Sequence, residues 1–143
     1  MTQALLDTGA LVALVNRSDR HHSAAASWFA SVRSGLLTTE AVITETAYVL
    51  AASPKHQWAA LQWVQRARIA NLLSIEPVAD YVRIAKILDR YASLPCDYAD
   101  ATLIALAENT GVSVIATIDQ RDFSVYRINE RKRFRILFSE WNP

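Results

Sequence analysis

Apolar residues occur along this chain in two textures. Some form short unbroken runs, and others recur three and four positions apart over longer stretches. The first texture predicts buried strands and the second amphipathic helices. Ala4 to Asp7 is a short strand with an acid at its C-terminal end. Thr8-Gly9 breaks it, and the apolar run 10–15 follows as a helix. Residues 17–22 are a polar loop, and 22–34 are a helix with Ala25, Trp28, Phe29 and Val32 on one face. Leu36 to Thr39 is the second strand. Thr39 caps a helix over 40–52, on which Ala41, Thr44, Glu45, Tyr48 and Val49 share a half-apolar stripe. Ser53-Pro54 opens a helix over 54–69 with Trp58, Leu61 and Val64 inward. Leu72 to Ile75 is the third strand. Pro77 opens a helix through Tyr91, with Val78, Val82, Ala85, Ile87 and Leu88 for packing. A turn at Leu94 to Asp97 leads into a regular helix over 98–110, which Gly111 stops. Val112 to Ile118 is a nearly continuous apolar strand that ends at Asp119, and Phe134 to Phe138 is a last, more exposed one.

Strands alternating with helices predict an α/β fold with a mostly parallel central sheet covered on both faces. In such sheets functional groups collect beyond the carboxyl ends of the strands. Asp7 and Asp119 stand at that end. Asp97 and Asp100, in the first turn of a helix that opens there, join them. An acidic cluster is thus expected from topology.

The chain has 143 residues, enough for one domain over 1–143, and 52% of them are hydrophobic. With 15 Lys+Arg against 14 Asp+Glu the net charge is +1, so a nucleic-acid partner must be sought in local patches. Cys96 is the only cysteine, which excludes a disulfide framework and a Cys-based zinc site and suits a reducing cytoplasm. Asp7 interrupts the first apolar run, no basic segment precedes it, and no later run is long enough to span a membrane, so none is expected. Adjacent His21 and His22 point in different directions and are expected at a helix start or on the surface, not as a metal pair.

The acids carry the chemistry. Glu40 lies in a first helical turn, where the helix dipole favours it, but Glu45 is too far inside to cap. Asp97 is placed to cap its helix, with Asp100 completing a capping-box-like arrangement. Asp100 is also followed by Ala101, Ile104 and Ala107 on the buried side, where an acid calls for a cation. Carboxylates without Cys or His select a hard ion, Mg2+ or Mn2+. Such a set serves phosphodiester hydrolysis. A Ser-His-Asp or Cys-His set and a Gly-rich phosphate loop have no convincing counterpart. An aspartyl-nucleophile phosphatase would want a second Asp where Gly9 stands.

These residues resemble a PIN domain, and among those a VapC-type toxin of a toxin–antitoxin pair. The resemblance lies in Leu6-Asp7-Thr8-Gly9-Ala10-Leu11-Val12-Ala13-Leu14, in Thr44-Glu45, in Ala99-Asp100-Ala101-Thr102-Leu103-Ile104-Ala105-Leu106-Ala107-Glu108, and in Ala116-Thr117-Ile118-Asp119-Gln120-Arg121-Asp122-Phe123. It implies a three-layer α/β/α fold and a Mg2+- or Mn2+-dependent ribonuclease. Asp7, Glu45, Asp100 and Asp119 would form the acidic quartet, with Asp7 and Asp100 the most direct ligands. Asp97 and Asp122 would be supporting acids, and Thr8 and Thr117 hydroxyls that orient a carboxylate or water. It further implies a homodimer and a cognate antitoxin that blocks the site.

An RNA substrate also has to be held. Arg17, Arg20, Lys55, Arg66, Arg68, Arg121 and the basic run 127–135 are candidates for phosphate contacts, the run being equally readable as a solvated loop. Trp28, Trp58 and Trp63 are expected in the core or a subunit contact rather than as base-stacking platforms. Two other functions share the pattern: a nuclease of RNA maturation with the same site, and a module that binds RNA or protein without cleaving. Clustered negative charge facing a polyanion argues against the last.

Overall fold

Three buried residues, Ala4–Leu6, make the first strand (β1), and the chain turns into helix α1 (Thr8–Val15) as soon as Asp7 interrupts the apolar run. Asp7 has extended backbone and accepts the Thr8 N–H on its carboxylate, so it ends the strand and starts the helix. The structure is a computed structural model and describes residues 3–33 and 35–140. Ser34, the last residue of the expected second helix, and both ends of the expected 1–143 domain fall outside the described residues.

The chain continues through α2 (His22–Ala30), β2 (Leu36–Thr39), α3 (Glu40–Val49), α4 (Pro54–Ile69), β3 (Leu73–Glu76), α5 (Tyr81–Arg90) and α6 (Tyr98–Thr110). Then come β4 (Val114–Ala116), α7 (Gln120–Val125), β5 (Arg127–Ile128), β6 (Lys132–Arg133), β7 (Arg135–Ile136) and a closing 3-10 turn, Leu137–Glu140. Five strands form one sheet in the order β3-β2-β1-β4-β7, every neighbouring pair parallel, while β5 and β6 form a separate antiparallel hairpin. Alternate strand residues serve two cores. Leu5, Leu37, Ile115 and Ile136 pack with residues of α5, α6 and α7; Leu6, Leu36, Leu73 and Ala116 pack with α1, α2 and α4. The sheet is therefore the middle of three layers, as expected.

The strands are shorter than the apolar pattern suggests. β4 pairs with β1 only at Ile115 and Ala116, because β1 ends at Asp7 and offers nothing further to pair with. The expected strand over 112–118 thus shrinks to three residues. The helix expected from Pro77 begins at Tyr81, because the Asp80 carboxylate accepts the Arg83 N–H and supplies the cap. The basic run 127–135 forms the β5–β6 hairpin and the start of β7, where a loop before an edge strand was one expectation. Asn129 and Glu130 turn the hairpin with φ of 51° and 63°, the left-handed backbone of a type I′ turn.

Three faces are also corrected. On α3 the buried residues are Val42 and Thr46, with Tyr48 81% and Val49 54% exposed, so the expected stripe faces solvent at its end. On α4 the buried face is Ala60, Val64 and Ala67, small residues that admit close helix packing, and Trp58 and Leu61 point outward. On α5 Ile84 and Ile87 are buried while Val82 is exposed.

Gly9 holds the first turn of α1 against the segment after β4. A Cβ added there would overlap Cγ1 and Cδ1 of Ile118. Gly9→Ala should therefore destabilise the protein by about 1–3 kcal/mol through overpacking, read as a lower urea midpoint at unchanged m-value. An unchanged midpoint would mean that Ile118 yields freely and that this contact does not fix the two segments.

Candidate active site

Four of the described helices open at the carboxyl end of the parallel sheet, and acids stand at their first turns or just inside. Asp7 caps α1, Asp97 caps α6 by accepting the Asp100 N–H at 2.8 Å, and Asp119 caps α7 by accepting the Asp122 N–H at 3.2 Å. Thr39 caps α3, and Glu45 lies on that helix beyond the first turn. The capping expectation for Asp97 holds, and it extends to Asp7 and Asp119. Glu40 sits in the first turn of α3 and is exposed.

Threonines stitch these acids together. Thr117, fully buried, donates its hydroxyl to Asp7 Oδ2 at 2.7 Å and accepts the Asp119 N–H on the same oxygen at 2.9 Å. Thr8 donates its amide to Asp7 Oδ1 at 2.8 Å and its hydroxyl to Glu45 Oε2 at 3.1 Å. One hydrogen-bonded chain thus runs Asp119–Thr117–Asp7–Thr8–Glu45. Thr38 donates to the Leu6 carbonyl and Thr39 Oγ1 lies 2.8 Å from Thr102 Oγ1, which locks β1, β2 and α6 together beneath the acids.

Asp100 enters from α6, and one partner was missed in the sequence. Tyr126, wholly buried, donates its hydroxyl to Asp100 Oδ2 at 3.0 Å. Tyr126 packs against Tyr91 and Phe123 with both ring centroids at 5.0 Å, so its ring is held on two sides. The signal was present, a tyrosine three residues after Phe123, but nothing in its spacing connects it to an acid twenty-six positions earlier.

The electrostatics show what the placement costs. Burial, then the charges of Asp7 and Asp97, push Asp100 up to about 8, with the Tyr126 hydroxyl working the other way. Burial raises Asp7 to about 6, against the Thr117 hydroxyl and Thr8 amide, with Asp119 and Asp97 adding to the rise. Glu45 is raised to about 7 by burial and then by Asp97, whose carboxyl lies close enough to share a proton with it. Asp122 is raised by burial and by a similar contact with Asp119. The charges that act most strongly on Asp7, Glu45 and Asp100 are all carboxylates.

The structure therefore brings Asp7, Glu45, Asp97, Asp100 and Asp119 within electrostatic reach of one another. Asp122 joins through Asp119. Among the described residues no group of three or more His, Cys, Asp or Glu side chains surrounds a point as a bound ion would need. The acids meet in pairs and through hydroxyls. Their chemistry fits a hard cation, being all oxygen, partly buried and without a neutralising base. Of the basic candidates, Arg127 donates to the Ser124, Val125 and Tyr126 carbonyls and caps α7, so it is committed within the fold. The hairpin turn is tied by the Asn129 N–H to Glu108, near the far end of α6 from Asp100.

The arrangement defines a class: the chain belongs to the PIN domain family, whose pattern residues 4–129 match. No curated protein matches this sequence. Among solved structures the chain is similar to VapC20 of Mycobacterium tuberculosis, a sarcin-ricin loop cleaving toxin, with a TM-score of 0.71 and 22% identity over 83% of this chain and 92% of that one. At that identity the likeness concerns the fold. No helix among the described residues is long and apolar enough to cross a membrane.

The raised carboxyls dictate a pH dependence for the cation-free protein. Their folded values, about 6, 7 and 8, lie above the usual 3.8 to 4.5. Folding favours their neutral forms, so the stability they contribute is fully present below about pH 4, the unfolded range, and is lost as pH rises from there through the folded values to about 8. In EDTA the Tm should fall across that interval. Tyr126→Phe removes a hydrogen bond that favours ionised Asp100 and should cost about 1–3 kcal/mol, more at pH 8 than at pH 5. A cost independent of pH would mean that the hydroxyl serves the core and not the carboxylate.

Proposed function

We propose that this chain is a metal-dependent endoribonuclease, the toxin of a toxin–antitoxin pair, that hydrolyses RNA phosphodiester bonds at the carboxyl end of its sheet. The observation that carries the proposal is the set Asp7, Glu45 and Asp100, each raised by burial and by neighbouring carboxylates and each without a basic partner among the described residues. Family membership supports a nuclease, and the likeness to VapC20 supports the toxin and an RNA substrate. An acid cluster of this kind suits Mg2+ or Mn2+ held by Asp7, Glu45, Asp100 and Asp119. When bound, such an ion neutralises the carboxylates and acts as a Lewis acid toward a phosphoryl oxygen.

The chain's own residues have separate tasks in this proposal. Thr117 and Thr8 occupy defined oxygens of Asp7 and Glu45 and so fix which lone pairs face the cleft. Tyr126 does the same for Asp100. Glu45, held by the Thr8 hydroxyl, is the group assigned to accept the proton of a water attacking phosphorus. Asp97 and Asp122 support by charge from the helix caps.

A cognate antitoxin, a homodimer and a cytoplasmic setting complete the proposal. Tyr48, Val49, Trp58 and Leu61 leave large apolar side chains exposed along the α3–α4 pair, which supports a subunit contact there.

The test is cleavage of a structured RNA by the purified protein with Mn2+ and with EDTA. Cleavage should require the ion, and Glu45→Gln should lower it by at least about a hundredfold, while Glu40→Gln leaves it near wild type. Undiminished cleavage in EDTA, or a dead Glu40→Gln beside an active Glu45→Gln, would contradict the assignment.

A further inference from the structure

A second concave site lies in the layer of α1, α2 and α4. It is a crevice of about 550 Å³ floored by Leu14, Phe29, Trp63 and Ala67, with Arg17 and Arg66 at its rim. Phe29 and Trp63 meet edge to face at 5.2 Å and make a rigid aromatic wall. His22 lines it too, with Nδ1 donating to the Ala13 carbonyl at 2.7 Å, so the ring is fixed with Nε2 left over. No acid lines the crevice, and neither Arg17 nor Arg66 takes part in an ion pair among the described residues.

Its chemistry is the inverse of the acidic end of the sheet. Two guanidiniums without counter-charge call for an anion, and a tryptophan wall calls for a flat apolar group. A nucleotide carries both. The volume suits one small ligand of that kind. It is too small for several turns of an acidic helix, which would be about 10 Å across. Helix α1, about 12 Å long, links the two sites, with Asp7 at its N-cap and Arg17 two residues past its C-terminal Val15.

We propose that this crevice is a second RNA site that holds one unstacked nucleotide of the substrate, its phosphate between Arg17 and Arg66 and its base against Trp63. The assignment rests on the proposed RNA substrate. It explains how a protein of net charge +1 with an acidic cleft would hold a polyanion: the strand is gripped away from the acids.

The experiment measures binding of a fluorescently labelled ten-nucleotide single-stranded RNA to the full chain in EDTA, across a salt series. Arg17→Gln and Arg66→Gln should each weaken binding by roughly tenfold and lower the salt slope by about one. Lys86→Gln, exposed on α5 across the sheet from the crevice, should bind as wild type. Trp63→Phe should remove most of the quenching of intrinsic fluorescence that the RNA causes in the wild type. Wild-type affinity in both crevice variants, with cleavage intact, would overturn this site and leave the nuclease proposal standing. Equal loss in the Arg17, Arg66 and Lys86 variants would reduce it to nonspecific charge and overturn it as well. Absence of RNA binding by the wild type would overturn both. Competition by an acidic peptide but not by RNA would assign the crevice to a protein partner instead.

Discussion

Carboxylates are crowded, partly buried, at the one end of a parallel sheet where helices begin, and the rest of the structure accommodates that. Burial and mutual repulsion each disfavour the charged forms, which is why Asp7, Glu45 and Asp100 all rise far above ordinary acids. The fully or nearly fully buried polar residues among those described are two aspartates, Asp7 and Asp100, and six threonines. The threonines supply donors without charge. They satisfy the carboxylate oxygens and strand carbonyls and leave the net negative charge for something else to neutralise. Helix N-termini add their amides through the caps at Asp7, Asp97 and Asp119.

The scaffold makes this arrangement rigid. β1 is only three residues long, so Asp7 is held directly between the sheet and α1. Gly9 lets α1 approach Ile118, and Thr117 ties the end of β4 to Asp7. On the other side Glu108, beside Arg83 at 2.7 Å and the Asn129 amide, anchors the β5–β6 hairpin to α6. Burial alone would raise Glu108, but the Arg83 and Asn129 hydrogen bonds outweigh it and hold it low. It is a compensated acid and marks the contrast with the uncompensated ones.

Much of this was legible in the sequence because it depends on local signals. Asp7 after an apolar run, Thr39 and Ser53-Pro54 before helices, and Gly111 after one mark boundaries by short-range chemistry, and strand–helix alternation then fixes which end carries the acids. What was not legible depends on distant partners. The outward turn of Tyr48, Val49, Trp58 and Leu61 follows from Ala60 and Ala67 packing closely, which favours small residues over the large apolar ones the pattern favoured. The hairpin at Asn129-Glu130 was hidden because its second residue is Glu where glycine is usual. Tyr126 and the Trp63 crevice are assembled by tertiary packing, and no spacing announces either.

The most direct test of the central claim is a pair of melting curves, in EDTA and in Mn2+, for wild type and Asp100→Asn. Asn keeps the volume and an acceptor for Tyr126 but removes one repelling charge. The variant should be as stable as wild type or more so in EDTA near pH 8, by about 1 kcal/mol. Wild type should gain stability from Mn2+, roughly 2.7 kcal/mol at a hundredfold excess over its dissociation constant, and the variant much less. A variant that melts well below wild type in EDTA, or that gains as much from Mn2+, would show that Asp100 is a structural residue and that the acids are not gathered for an ion.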